Sequence, residues 1–196
     1  MYEVEVRALV DFDSMKRKLD KSAKPLKLNE REATIFFFNP EKEDFELRLR
    51  FRKNNYILSY KESLSKTARK EIETEISNPD ALYHLLLGAG FKIKMIVARV
   101  KFTYLYNKFE ILLNRIADWG DAIEVESVIE DEGDAGKTES EIREFMKTKL
   151  GISNLLGNEK LKSLNEDYRR KIDFYDIPLE TLLEYVNGKR NYLKFT

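Results

Sequence analysis

The stretch Leu47-Arg48-Leu49-Arg50-Phe51-Arg52 alternates apolar and basic residues without a break. A period of two belongs to a β-strand, so three apolar side chains leave one face and three arginines the other. The same two-sided pattern extends outward. Asn54-Asn55 reads as a turn, and Tyr56 to Lys61 as the returning strand. Arg69 to Ile76 sets Arg69, Glu71, Glu73 and Glu75 against Ile72 and Ile76. Residues 2 to 10 set Glu3, Glu5 and Arg7 against Val4, Val6 and Ala8. Ala33 to Phe38, Lys94 to Tyr106, Lys108 to Ile116 and Ala122 to Ile129 complete about eight predicted strands.

Helices are predicted between and after these strands. Asp13 is the expected cap of a short helix ending at Ser22, with Pro25 beyond it. Asn78 caps, and Pro79 opens, a helix through Leu87 that stops at Gly88 and Gly90. The segment from Glu130 to Lys137 is acidic and glycine-containing and is expected to be a mobile loop. Thr138 and Glu141 form a capping-box pair ahead of Ile142, Phe145, Met146 and Leu150 at helical spacing. Further helices are predicted over residues 158–171 and 179–186. Their apolar faces need a sheet to pack on. The expectation is therefore one domain over 1–196: a barrel over 1–136 and a helical extension over 137–196 packed on it.

Composition narrows the chemistry. The chain has 196 residues, no cysteine and one histidine, His84. Thiolate sites, disulfides and histidine-rich zinc sites are excluded, so a bound metal must be held mainly by carboxylates. Charged residues make up 36%, against roughly 25% in ordinary globular chains. Thirty-five basic and 35 acidic residues cancel, so no overall basic footprint points to a nucleic acid polymer. No apolar run approaches the ~20 residues of a membrane span. The opening Met1-Tyr2-Glu3-Val4-Glu5 does not read as a signal segment. A cytoplasmic protein is the expectation.

The informative feature is where the charges sit. One solution is a plain sheet with its charged face in water. The other is a barrel turned inside out, with a wet charged interior and an outer face covered by helices. The order of signs favours the barrel. Acids begin the chain (Glu3, Glu5) and end the sheet (Glu124, Glu126), and they converge if first and last strands meet. Such an oxygen-donor set suits Mg²⁺ or Mn²⁺. Between them stand Arg48, Arg50, Lys61, Arg69, Arg99 and Lys101, side chains that grip phosphate oxygens.

These motifs, in this order, resemble the CYTH superfamily, the triphosphate tunnel metalloenzymes. Glu3-Val4-Glu5-Val6-Arg7 is similar to the family's N-terminal Glu-x-Glu-x-Lys signature. Leu47-Arg48-Leu49-Arg50, Ser59-Tyr60-Lys61, Arg69-Lys70-Glu71-Ile72-Glu73 and Arg99-Val100-Lys101 with Tyr104 resemble its successive strands. Trp119-Gly120 followed by Glu124-Val125-Glu126 resembles its ending. The resemblance covers residues 1 to about 155. It implies an α+β fold: a closed eight-stranded antiparallel β-barrel, the triphosphate tunnel, covered by helices and followed by C-terminal helices. It further implies that Glu3, Glu5, Glu124 and Glu126 bind Mg²⁺ or Mn²⁺. Arg7, Arg48, Arg50, Lys61, Arg69, Arg99 and Lys101 would then bind phosphate, with Glu5, Lys61 and Glu124 nearest the chemistry.

The chain departs from the family pattern at three positions. Arg7 replaces a lysine, Asn114 replaces an aspartate, and Ala33 is taken to stand where the second strand often has an aspartate. The expected activity is metal-dependent hydrolysis of inorganic or organic triphosphate. Cyclisation of ATP to cyclic AMP and non-enzymatic binding of a polyphosphate or phosphorylated ligand are the alternatives. The expected partner is a triphosphate-containing small molecule, with no membrane and with a homodimer possible. One or more of Glu71, Glu73 and Glu75 is expected to orient a basic residue. His84 is expected to serve packing or the surface, and Trp119 core or turn packing.

Overall fold

The computed structural model describes residues 2–53, 55–63, 69–190 and 193, without the side chains of 42–44, 63, 69 and 70. Eight strands form one antiparallel sheet: β1 (Tyr2–Leu9), β2 (Lys24–Asn39), β3 (Lys42–Arg52), β4 (Asn55–Ser63), β5 (Arg69–Glu75), β6 (Lys92–Tyr106), β7 (Phe109–Ile116) and β8 (Gly120–Ile129). Their order is β1-β8-β7-β6-β2-β3-β4-β5. The first and last strands therefore do meet, as ordinary neighbours, with Glu5 opposite Glu126 and Arg7 opposite Glu124.

The sheet curls into a half-barrel whose two edges are β1 and β5. Lys61 on β4 lies 3.4 Å from Glu3 on β1, so side chains bridge the seam. Among the described residues no backbone ladder joins β1 to β5. Part of the β1 edge is occupied otherwise, because the Leu156 N–H donates to the Arg7 carbonyl at 2.7 Å. Covering an edge in this way hides backbone groups that would otherwise invite another strand. The barrel expected from the sequence is thus a curled sheet with one seam.

Among the described residues, five α-helices cover the apolar outer face: α1 (Phe12–Ser22), α2 (Pro79–Gly88), α3 (Ala135–Phe145), α4 (Asn158–Lys171) and α5 (Leu179–Val186). One core packs Val4, Val6 and Ala8 of β1 and Ile123 and Val125 of β8 against Leu19 of α1 and Ile142 of α3. A second packs Ile35 and Phe37 of β2, Leu49 and Phe51 of β3 and Ile96 of β6 against α2, α4 and α5. Leu47, Leu49 and Phe51 are buried there, as their alternation requires. Among the described residues no helix is long and apolar enough to cross a membrane.

Several boundaries differ from the sequence reading. The cap of α1 is Asp11, whose carboxylate accepts the Ser14 N–H at 2.8 Å. Asp13 sits in the first turn, where its charge meets the helix dipole. Strand β2 begins at Lys24, nine residues before the predicted Ala33, and Pro25 pairs with Tyr104 inside it. The expected loop at 130–137 holds a 3₁₀ turn (Glu132–Asp134) and the start of α3 at Ala135. Thr138 is therefore interior and buried, not a cap. Its partner Glu141 instead pairs with Lys108. The Asn54 half of the predicted Asn54-Asn55 turn lies outside the described residues, and Asn55 opens β4.

Candidate functional site

Alternation on eight strands delivers the charged side chains to the concave face. They line a cavity of about 610 Å³, within the range of small-molecule sites. Its walls differ in sign. On β1 and β8, Glu3, Glu5 and Glu126 bring one carboxylate oxygen each within 4.8 Å of one another. The crowding has an electrostatic consequence. Burial, with a hydrogen bond to Glu3 and the charges of Glu3, Glu124 and Glu110, pushes the Glu126 carboxyl up to about 9. Burial would raise Glu3 as well, but hydrogen bonds to Glu126 and Lys61 and the charge of Lys61 outweigh it and lower its pKa. Three crowded carboxylates, one of them forced toward its neutral form, are a donor set that fits a hard divalent cation.

Glu124 lies near this group but does not join it. Its carboxylate stands 3.5 Å from Arg7 Nε and accepts from the Asn114 amide at 3.5 Å. Burial would raise its pKa, but Arg7, Arg99 and Arg48 hold it down. Asn114 is itself fully buried, on a strand neighbouring Glu124, so it supplies a neutral hydrogen-bond donor where an aspartate would add a fourth crowded charge. Arg7 bonds Glu5 at 2.7 Å. Burial opposes its charge, but Glu124 and Glu5 raise its pKa, so it is a fixed cation and not a proton acceptor.

The opposite wall is basic and is organised by a residue that sequence reading missed. Glu32 on β2 has no solvent exposure. Its carboxylate accepts from Arg52 Nε at 2.7 Å and Arg99 Nε at 2.9 Å, the latter joined by the second Arg99 nitrogen. Lys101 and Arg50 stand 3.7 and 4.0 Å away. Burial would raise the Glu32 pKa, but Arg99, Lys101, Arg50 and Arg52 hold it well below the carboxylate range. Ala33, the presumed second-strand position, points into the outer core at 0% exposure. The acid of this strand is one residue earlier, on the concave face with Thr34 and Phe36. The Glu30-Arg31-Glu32 alternation carried the signal, but a strand begun at Ala33 left it out.

Of the remaining predicted residues, Arg48, Arg50, Lys61 and Lys101 also face the cavity. Arg48 bonds Glu46 at 2.6 Å and covers the Phe36 ring at 5.0 Å. Arg50 bonds Glu73 at 3.0 Å, and Lys61 lies 3.0 Å from Glu71. Lys101 is buried, and burial lowers its pKa despite Glu32. Arg69 begins β5, and its side chain lies outside the described residues. His84 is 69% exposed on α2, near Asp80. Trp119 packs against the second core but also borders the cavity, with its indole N–H on the Asn165 carboxamide oxygen at 3.1 Å.

A tunnel-like sheet with a carboxylate cluster at one wall and a buried-acid, multi-arginine wall opposite defines a recognisable class. The chain belongs to the CYTH domain family, whose model matches residues 1–156. It is similar to the PH1819 protein of Pyrococcus horikoshii OT3, at 24% identity over 85% of this chain and 99% of that one, with a TM-score of 0.74. It is 27% identical to the PH1012 protein of the same organism over 78% of this chain and 92% of that one, with a TM-score of 0.65. A Hippeastrum protein is 20% identical over 85% of this chain and 96% of that one, with a TM-score of 0.59. No curated protein matches by sequence.

Proposed function

We propose that this chain binds a triphosphate in its cavity and hydrolyses it with a divalent metal ion. The observation that carries the reading is the polarity of the cavity: Glu3, Glu5 and Glu126 cluster opposite Arg50, Arg52, Arg99 and Lys101. A metal–polyphosphate complex has this same separation of charge. The Hippeastrum relative supports the reading, since that protein is named as an adenylyl cyclase and has a dominant triphosphatase activity.

The basic residues do most of the work. Each arginine carries five N–H donors, and its carboxylate partner uses only some of them. Glu32 holds Arg52 and Arg99 in place, so their remaining donors meet phosphate oxygens with little reorganisation. Lys61, steadied by Glu3 and Glu71, adds a point charge beside the carboxylate cluster. Arg7 binds an oxygen and neutralises charge on the leaving phosphate; its raised pKa removes it as a base. A divalent cation held by Glu3, Glu5 and Glu126 would neutralise phosphate charge and acidify a water. Glu124, kept ionised by Arg7 and Arg99, orients Arg7 toward the reacting end.

Incubation with tripolyphosphate, ATP and thiamine triphosphate, with Mg²⁺ or Mn²⁺, tests the reading. Release of orthophosphate from one or more of them is the expected result. Cyclic AMP with pyrophosphate from ATP would move the chain to the cyclase reaction. No product and no binding would refute both.

A further inference from the structure

A second cavity, of about 540 Å³, opens at the rim of the sheet. Two strands of unequal reach create it. The β2–β3 ladder stops at Ala33 opposite Phe51, whereas β2 runs back to Lys24 against β6 alone. Beside this overhang lies a notch, lined by Lys53 and Asn55 near the β3–β4 end and by Asn187 and Gly188 after α5. Its lining is basic: Lys27, Arg31, Arg52 and Lys53 border it, with Glu30 the single acid among the described residues. Lys101 and Lys27 flank that acid at 3.6 and 3.9 Å, so its charge is already offset. We propose that this notch is a second anion site, distinct from the triphosphate cavity, and that it takes orthophosphate.

The end of α5 would by itself repel an anion, because the last carbonyls of a helix are its negative pole. Arg31 reverses this. Gly188 takes φ 77°, a left-handed conformation that turns the chain back after α5. The Arg190 carbonyl then accepts from Arg31 Nη1 at 2.6 Å, and the guanidinium lies over the Tyr185 ring at 5.6 Å. Arg31 is thereby fixed beside the notch with donors to spare. Glu30 Oε2 and Asn55 Oδ1 belong to the same lining and have no hydrogen-bond partner. Hydrogen phosphate carries an O–H that such acceptors can take, and sulfate, of the same shape, carries none.

Arg52 borders both cavities. Its Nε donates to Glu32 at 2.7 Å, and Glu32 also holds Arg99. An anion in the notch therefore stands one arginine away from the basic wall of the larger cavity. Two anions on either side of that arginine repel each other, so each weakens the other without displacing it. The notch stands without the triphosphate reading above. That phosphate released by turnover fills it and loosens the hold on the next triphosphate rests on that reading.

The test is calorimetric titration of the full chain with orthophosphate, sulfate and tripolyphosphate, all in chelator. Orthophosphate is expected to bind, and sulfate to bind the same site at least about tenfold more weakly. Lys53 is exposed, so Lys53→Ala leaves the core intact; it is expected to weaken orthophosphate roughly tenfold and to leave tripolyphosphate alone. Lys147→Ala removes the same charge from an exposed residue after α3 and is expected to change neither. Saturating orthophosphate is expected to weaken tripolyphosphate binding to a limiting value and no further. Displacement without limit, alike in the parent and in Lys53→Ala, would put phosphate in the larger cavity alone, overturning the notch and leaving the triphosphate reading standing. Equal losses in Lys53→Ala and Lys147→Ala, or no orthophosphate binding beside tight tripolyphosphate binding, would do the same. Sulfate bound as tightly as phosphate would overturn the choice of phosphate as ligand.

Discussion

Two glutamates on facing walls of one cavity, Glu32 fully buried and Glu126 half-buried, meet opposite fates. Glu32 sits among Arg52, Arg99, Lys101 and Arg50, and its carboxyl is held far below the ordinary range. Glu126 sits among Glu3, Glu124 and Glu110, and its carboxyl is pushed up to about 9. Both side chains lose water, so burial alone cannot separate them. The neighbours decide: desolvation is offset where cations converge and compounded where carboxylates converge. One wall is thereby prepared for anions and the other for a cation.

The largest effect should come from removing the cation that the acidic wall calls for. A chelator is expected to abolish triphosphate turnover, and Mg²⁺ or Mn²⁺ to restore it; full activity in excess chelator would break the comparison outright. Glu5→Gln should lower turnover more than about tenfold, since it removes one charged oxygen donor of the cluster.

Next in size is the loss of the buried acid on the basic wall. Glu32→Gln leaves the buried Lys101 and the half-buried Arg50, Arg52 and Arg99 without their common, fully buried partner. Breaking a buried pair in this way costs about 3–5 kcal/mol. Urea denaturation should therefore show a large drop in stability. Tripolyphosphate should restore more stability to the variant than to the parent, because it supplies the missing negative charge. A loss below about 1 kcal/mol would mean that the arginines do not depend on Glu32.

Arg50→Ala should act more narrowly. Its contacts with phosphate are charge-assisted hydrogen bonds of about 1.5–3 kcal/mol each. Tripolyphosphate affinity, titrated calorimetrically in Ca²⁺, should fall roughly ten- to a hundredfold. An unchanged affinity in a folded variant would place the phosphate elsewhere.

The last effect is a slope. Glu126 has a raised pKa in the folded chain, so its contribution to stability is complete below its ordinary value of 4.5 and is lost as pH rises toward about 9. In chelator, the melting temperature should decline across that window. Glu126→Gln should flatten the decline, and Mn²⁺ should oppose it near pH 8. A parent and variant with the same slope would mean that the carboxylates do not crowd one another.

Much of this was legible in the chain. The arginines at 48, 50 and 52 share a face because a strand has a period of two, and Asn78-Pro79 opens a helix because its first turn needs a cap and tolerates proline. Glu32 escaped because its neighbours in sequence, Glu30 and Arg31, look like an ordinary polar approach to a strand. Asp11 escaped because Asp13 is an equally good cap by composition. Trp119 read as turn packing because nothing local reveals that α4, forty residues later, covers the same space.

The sequence by itself determined which side chains share a face, since alternation is a property of each strand alone. It thereby determined that one face of the sheet would be charged and the other dry. Only the tertiary structure decided which charges meet. Arg52 and Arg99 reach Glu32 because β3 and β6 flank β2 in register, and Lys61 reaches Glu3 because the sheet curls until its edges approach. Those pairings join residues far apart in the chain, and a charge's energy depends on what stands within a few ångströms of it, not on what precedes it in sequence.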